Sequence, residues 1–157
     1  MNRSSYFFPF AFGILTMGPQ KLVPFVFTII MAFAFHEFAH AYAAHKLGDD
    51  TAYRQGRVTL NPFVHLDLMG TLFIVLTGFF GWAKPVPVNP TNFRNPRRDD
   101  IIVTAAGPLT NLLIAILAGL LLSFLASKGF FSQASIAKTP PLGFLKELLS
   151  IMMTLNL

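Results

Sequence analysis

The 157-residue sequence contains no cysteine, which excludes disulfides, thiolate metal ligands and cysteine nucleophiles. Charge is scarce as well. Asp, Glu, Lys and Arg make up 12% of the chain, about half the fraction of an average soluble domain. That excludes a disordered tail, an acidic scaffold and an ordinary water-soluble domain. Aromatic rings with a polar handle are few, one Trp and three Tyr against 18 Phe, a balance that suits a lipid-facing surface. What remains is apolar: 54% of residues are hydrophobic and the mean hydropathy is +0.57. A net charge of +5 would fit nucleic acid if the basic residues clustered. They lie scattered between apolar runs, as membrane-flanking charges do, so the expected partner is the lipid bilayer and not nucleic acid. The chain reads as an integral, multi-pass membrane protein.

The apolar runs set the organisation. Tyr6 to Met17 holds about a dozen residues, short of the ~20 needed to span, and no small-x-small cleavage site follows it. It reads as an interfacial lead-in and not as a cleaved signal. Residues 22–46 form the first span and close at Gly48, a suitable C-cap. Asp49 to Asp67 is polar and turn-rich, with Gly-Arg-Val-Thr-Leu-Asn-Pro at 56–62. Residues 68–82 are apolar but short, 84–100 read as a Pro/Asn/Arg loop, and 101–126 form the second span, led in by Asp99 and Asp100. A polar link at 128–141 precedes a third apolar helix at 142–157. The expected fold is mainly α, a single polytopic membrane helical bundle over residues 1–157. Its irregular parts are a re-entrant segment at 68–82 and a small membrane-associated β element near Gly78 to Val88. Re-entry places the seven basic residues from Lys46 to Arg98 on one side against five elsewhere, and the positive-inside rule makes that side cytoplasmic.

His36-Glu37-Phe38-Ala39-His40 is an H-E-x-x-H motif within the first span. The i, i+4 spacing puts both imidazoles on one helical face, one turn apart, able to grip a single tetrahedral zinc. Glu37 lies about 100° round the helix, within reach of the metal's water without having to ligate. Zinc lowers the pKa of such a water to about 7, and a carboxylate can take its proton. Ionisable groups in an apolar span are costly, which favours this reading over packing polar groups or a pair of haem ligands. A catalytic zinc takes three protein ligands. His45 faces away, position 46 is Lys46, and Asp49 and Asp50 read as turn residues after the helix. Asp67, with His65, leads into the re-entrant segment and is the internal substitute, although a polar entry turn explains it as well. The third ligand is expected from outside the chain.

Two further stretches stand out. In Thr104-Ala105-Ala106-Gly107-Pro108-Leu109-Thr110-Asn111 small residues permit close helix approach, and Thr104, Gly107, Pro108 and Asn111 share a face. Asn111 could donate to a developing oxyanion or make a structural interhelical bond. In Trp82 to Pro90, alternate prolines leave the N–H groups of Val86 and Val88 on one edge. That edge could pair with an extended peptide, or the stretch could be a rigid linker.

His-Glu-Phe-Ala-His at 36–40, Gly-Trp-Ala-Lys-Pro-Val-Pro-Val-Asn-Pro at 81–90 and Ala-Ala-Gly-Pro-Leu-Thr-Asn at 105–111, in that order, resemble the site-2 protease family of intramembrane zinc metalloproteases. The likeness is to compact prokaryotic members without a PDZ domain, and it covers about Val23 to Ala126. It implies one zinc per chain on His36 and His40, Glu37 as catalytic base, and Asn111 beside the site contacting substrate or oxyanion. It also implies a transmembrane protein as substrate and residence in the cell (cytoplasmic) membrane of a prokaryote. The family's third ligand is an Asp in a Leu-Asp-Gly motif on a following helix. No Asp-Gly occurs here, so the chain is expected to be an N-terminal portion of such a protease, or a truncated gene product. The rival expectation is a non-proteolytic membrane module that binds metal or packs helices. No feature of the sequence sets the oligomeric state.

Overall fold

The computed structural model describes residues 18–77 and 81–156, so the lead-in at Tyr6 to Met17 lies outside the described residues. Two long helices dominate: α1, Pro19–Lys46, and α4, Pro96–Ser127. Each opens with proline in its first turn, where the missing N–H costs no hydrogen bond. At 28 and 32 residues they are about 42 and 48 Å long, and both are long and apolar enough to cross a membrane. The second span thus starts five residues earlier than its hydropathy suggests, because Asn95-Pro96 begins the helix inside the expected loop. At the other end of α1 the amides of Leu47 and Asp49 bond back to the carbonyls of Ala43 and Ala44. Gly48, at φ +109°, takes the left-handed conformation that ends a helix.

A third helix, α6 (Pro140–Leu155), packs against both α1 and α4. Its 16 residues rise about 24 Å along the helix axis. The three helices meet through small side chains: Ala34, Ala41 and Ala44 of α1 and Gly107, Ala115 and Ala118 of α4 are buried. Close backbone approach of this kind gains packing without any hydrophobic driving force. The outer face of α4, with Leu109, Leu113, Leu117, Leu120 and Phe124, is exposed and apolar, as a lipid-facing surface is.

Short elements lie between α1 and α4. They are α2 (Thr51–Arg54), a 3-10 turn at Pro62–Val64, α3 (Leu68–Thr77) and a second 3-10 turn at Pro90–Asn92. The expected polar link contains a further short helix, α5 (Gln133–Lys138). The two ends of segment 68–82 lie side by side: a Cβ on Gly70 would strike the Trp82 backbone, and one on Gly81 would strike Ile74 and the Gly70 carbonyl.

The expected β element is reduced, among the described residues, to a single antiparallel bridge between Leu66 and Ala83, extended by Lys84 N–H donating to His65 O at 2.8 Å. Residues 78–80 of that expectation lie outside the described residues. Beyond Lys84 the prolines at 85, 87 and 90 have no N–H for a ladder, and the N–H groups of Val86 and Asn89 bond the side chains of Glu37 and Asp49 instead of a partner strand.

Candidate metal centre

Helix α1 carries His36 and His40 on the face turned toward α4. Their ring centroids are 4.7 Å apart and their planes nearly perpendicular, at 80°. His40 Nδ1 lies 2.7 Å from Val103 O on α4. A carbonyl only accepts, so Nδ1 carries the proton and Nε2 presents its lone pair. This is how metal-ligating histidines are usually oriented, by a hydrogen bond on the far nitrogen.

Both free nitrogens aim at one place. A Cβ built on Gly107 of α4 would fall 2.6 Å from His36 Nε2 and closer still to His40 Nε2. The space over Gly107 is therefore a cradle that any side chain would fill, bordered by the Nε2 atoms of both imidazoles. A zinc ion bonds imidazole nitrogen at about 2.0–2.1 Å, and two donors converging from one helical face suit it. His36 and His40 fit the metal that the motif implies.

Glu37 is buried, and its Oε2 accepts the Val86 N–H at 3.1 Å. The extended segment after Trp82 therefore reaches down to the motif. The Val86 N–H that was expected to offer a free pairing edge is already bonded, to Glu37. Asn111 lies one turn beyond Gly107 on the same face of α4, and its Oδ1 is buried without a partner. Asp67 does not join the histidines. Its Oδ1 accepts Gly70 N–H at 2.8 Å and its carbonyl accepts Thr71 N–H, so it caps the start of α3. His65 is fully buried and donates from Nε2 to Thr59 O at 2.9 Å. Burial pushes its imidazole below the ordinary pKa, with the nearby Arg57 charge adding to that and the Thr59 bond opposing it. Among the described residues no third His, Asp or Glu gathers with His36 and His40.

Two buried charged residues that support the site were not singled out by sequence reasoning. Arg57, 5% exposed, donates to Val64 O, to Lys84 O at 2.6 Å and to Pro85 O at 3.0 Å. Asp49, expected to be a turn residue, is fully buried. It accepts from Thr51 N–H and Oγ1, from Asn89 N–H at 2.7 Å and from Asn92 Nδ2 at 2.8 Å. Its burial pushes the carboxyl up, and these hydrogen bonds outweigh that and hold it below the ordinary carboxylate pKa. The only sequence signal for either was a charge directly after a glycine: Gly48-Asp49 and Gly56-Arg57.

No protein-family model and no solved structure matches the chain. Among curated proteins it is similar to "Putative zinc metalloprotease YwhC" of Bacillus subtilis, 44% identical over 140 residues, covering 88% of this chain and 61% of that protein. It is also similar to "Putative zinc metalloprotease Rip2" of Mycolicibacterium smegmatis, 33% identical over 92 residues, covering 56% of this chain and 35% of that protein. The chain thus spans about three-fifths of the first relative and about one-third of the second. With two imidazoles converging on a glycine cradle and a carboxylate beside them, the chain is a homologue of these named zinc metalloproteases, consistent with the site-2 protease-like family that its motifs resemble.

Proposed function

We propose that the protein is a zinc-dependent intramembrane endopeptidase that cleaves transmembrane segments of other membrane proteins in a prokaryotic cell membrane. The observation that carries this reading is the convergence of His36 and His40 Nε2 over Gly107, between two helices whose other faces are apolar. When bound, zinc supplies Lewis-acid activation of water. His36 and His40 would hold it through Nε2, and Val103 O fixes the His40 ring. Glu37 takes and returns the proton that hydrolysis moves. Asn111 offers its side-chain amide to the substrate carbonyl as negative charge develops there. The substrate segment must be locally unwound, because the hydrogen bonds of an intact helix shield its carbonyls.

The test uses the full-length natural protein in reconstituted membranes. It should hold about one zinc per chain, and His36→Ala or His40→Ala should remove it. Glu37→Gln should retain zinc and lose cleavage of a model transmembrane segment by a hundredfold or more, roughly the worth of a general base. Cleavage by the Gln variant at the unmodified rate would overturn the reading. One observation favours a second reading, a metal-binding module without protease activity. The described residues bring together two ligands and no third. Zinc retained by a protein that cleaves no transmembrane segment would select it.

A further inference from the structure

The Arg57 guanidinium lies between two chain segments. On one side it bonds Val64 O, in the turn before α3, and on the other it bonds Lys84 O and Pro85 O. The Lys84 amide also donates to His65 O, so the start of the extended segment is tied to 64–66 through both side chain and backbone. One residue further on, Val86 N–H holds Glu37 Oε2. The far end of the same segment is tied by Asn89 N–H to the buried Asp49 carboxylate. Between those two anchors Val86 has prolines on both sides, at 85 and 87, which fix φ near −65° and stiffen it. A buried cation is stable only when its donors are met, and the carbonyls Arg57 binds belong to the segment that delivers Val86. Its charge is also within coulombic range of Glu37.

We infer that Arg57 is a positioning residue for Glu37: by clamping the carbonyls of Lys84 and Pro85 it sets the height of Val86 N–H, which in turn orients the Glu37 carboxylate. This rests on the protease reading, with Glu37 as its base. A base displaced by about 1 Å loses up to a hundredfold in rate. The metal ligands are held separately, through α1 and the Val103 carbonyl of α4. Loss of Arg57 should therefore leave metal binding intact and act on the chemical step.

The experiment compares unmodified full-length protein with Arg57→Gln, Arg57→Lys and Val86→Pro in detergent, with fluorescently labelled casein as the unfolded probe substrate and zinc content measured in parallel. Val86→Pro removes the N–H to Glu37 without touching Arg57. Arg57→Gln and Val86→Pro should each lower kcat about ten- to a hundredfold with KM within twofold and zinc unchanged. Arg57→Lys, which keeps the charge but not the planar fork, should fall between. A second readout is independent of activity. In protein whose other cysteines are replaced, the pair Glu37→Cys and Val86→Cys should be joined by a short bis-thiol reagent, and adding Arg57→Gln should slow that joining at least fivefold. Unchanged kcat and unchanged cross-linking in Arg57→Gln would overturn the inference, as would loss of zinc in step with kcat, which would make Arg57 a support of the metal helices. Should Glu37→Gln itself cleave normally, the protease reading fails while the cross-linking arm still reports on the clamp.

Discussion

Replacing Gly107 by alanine tests the metal centre with a single methyl group. The added Cβ would lie 2.6 Å from His36 Nε2 and closer to His40 Nε2, roughly 1 Å inside ordinary non-bonded contact. The helix itself has no reason to object, since alanine in a helix interior is about 1 kcal/mol better than glycine. The imidazoles must give way instead. His40 cannot swing aside without breaking its Nδ1–H bond to Val103 O, and His36 Nε2 borders the same space. Losing a ligand's outer hydrogen bond alone costs about 10–100-fold in metal affinity. Filling the ligand position as well should cost more than a hundredfold. The assay is zinc competition against a chelator of known affinity, alongside circular dichroism to show that helix content is preserved. Gly119→Ala is the control on the same helix: its Cβ would meet the flexible Met153 thioether at 3.1 Å, so zinc affinity should not move. Wild-type zinc affinity in Gly107→Ala would refute the claim that the two nitrogens converge there.

Two other outcomes follow from buried titratable groups outside the helices that would cross the membrane. Asp49→Asn should destabilise the protein by about 1–3 kcal/mol, because an amide cannot accept every bond the carboxylate accepts and buried donors are left unmet. The Asp49 carboxyl is held below its ordinary pKa, so its stabilisation is complete above the unfolded value and is lost as pH falls through the folded one. Denaturation midpoints recorded from neutral to acid pH should decline less steeply in Asp49→Asn than in the unmodified protein. His65 has its pKa lowered, first by burial. It stays neutral when folded, while the unfolded chain takes up a proton, so stability falls as pH drops below about 6.5. His65→Gln keeps a donor for Thr59 O and cannot titrate, so it should flatten that part of the midpoint-versus-pH curve. An unchanged slope would mean that His65 does not control it.

The parts of this molecule that were legible in the sequence are those governed by periodicity. Two long apolar runs became α1 and α4, and the i, i+4 pairing of His36 and His40 became two nitrogens facing one point. Boundaries set by local chemistry were harder to read. The basic and acidic residues of 97–100 hide the start of α4 from a hydropathy count, whereas the Asn95-Pro96 pair marks it. Gly107 was legible as a small residue in a close helix contact. Its role as floor of the cradle was not, because that depends on the rotation of α4 relative to α1. Asp49 and Arg57 were missed for a related reason. Each satisfies main-chain groups 27 to 40 residues away, and no local pattern encodes such a partner. Asp67 was open to two readings, and the hydrogen bond to Gly70 N–H puts it at a helix cap.

The segment from Lys84 to Asn89 explains how irregular chain can reach the level of Glu37 at all. Glu37 lies nine residues before the end of α1, about 13 Å along its axis, so on the proposed placement Val86 sits well inside the hydrocarbon layer. Non-helical backbone survives at such depth only where its polar groups are met by protein or by water in a cavity. Three donors of the segment are met by protein groups. Lys84 N–H bonds His65 O, Val86 N–H bonds Glu37, and Asn89 N–H bonds Asp49. Positions 85 and 87 are proline and have no donor to satisfy. On the acceptor side Arg57 takes the carbonyls of Lys84 and Pro85. The prolines thus do more than stiffen the segment. Each also deletes an N–H group that non-helical backbone at this depth would otherwise have to satisfy. An incoming extended peptide therefore finds no free donor at Val86 unless the bond to Glu37 opens. Access to the Val86 N–H and release of the Glu37 carboxylate are consequently a single event in this fold.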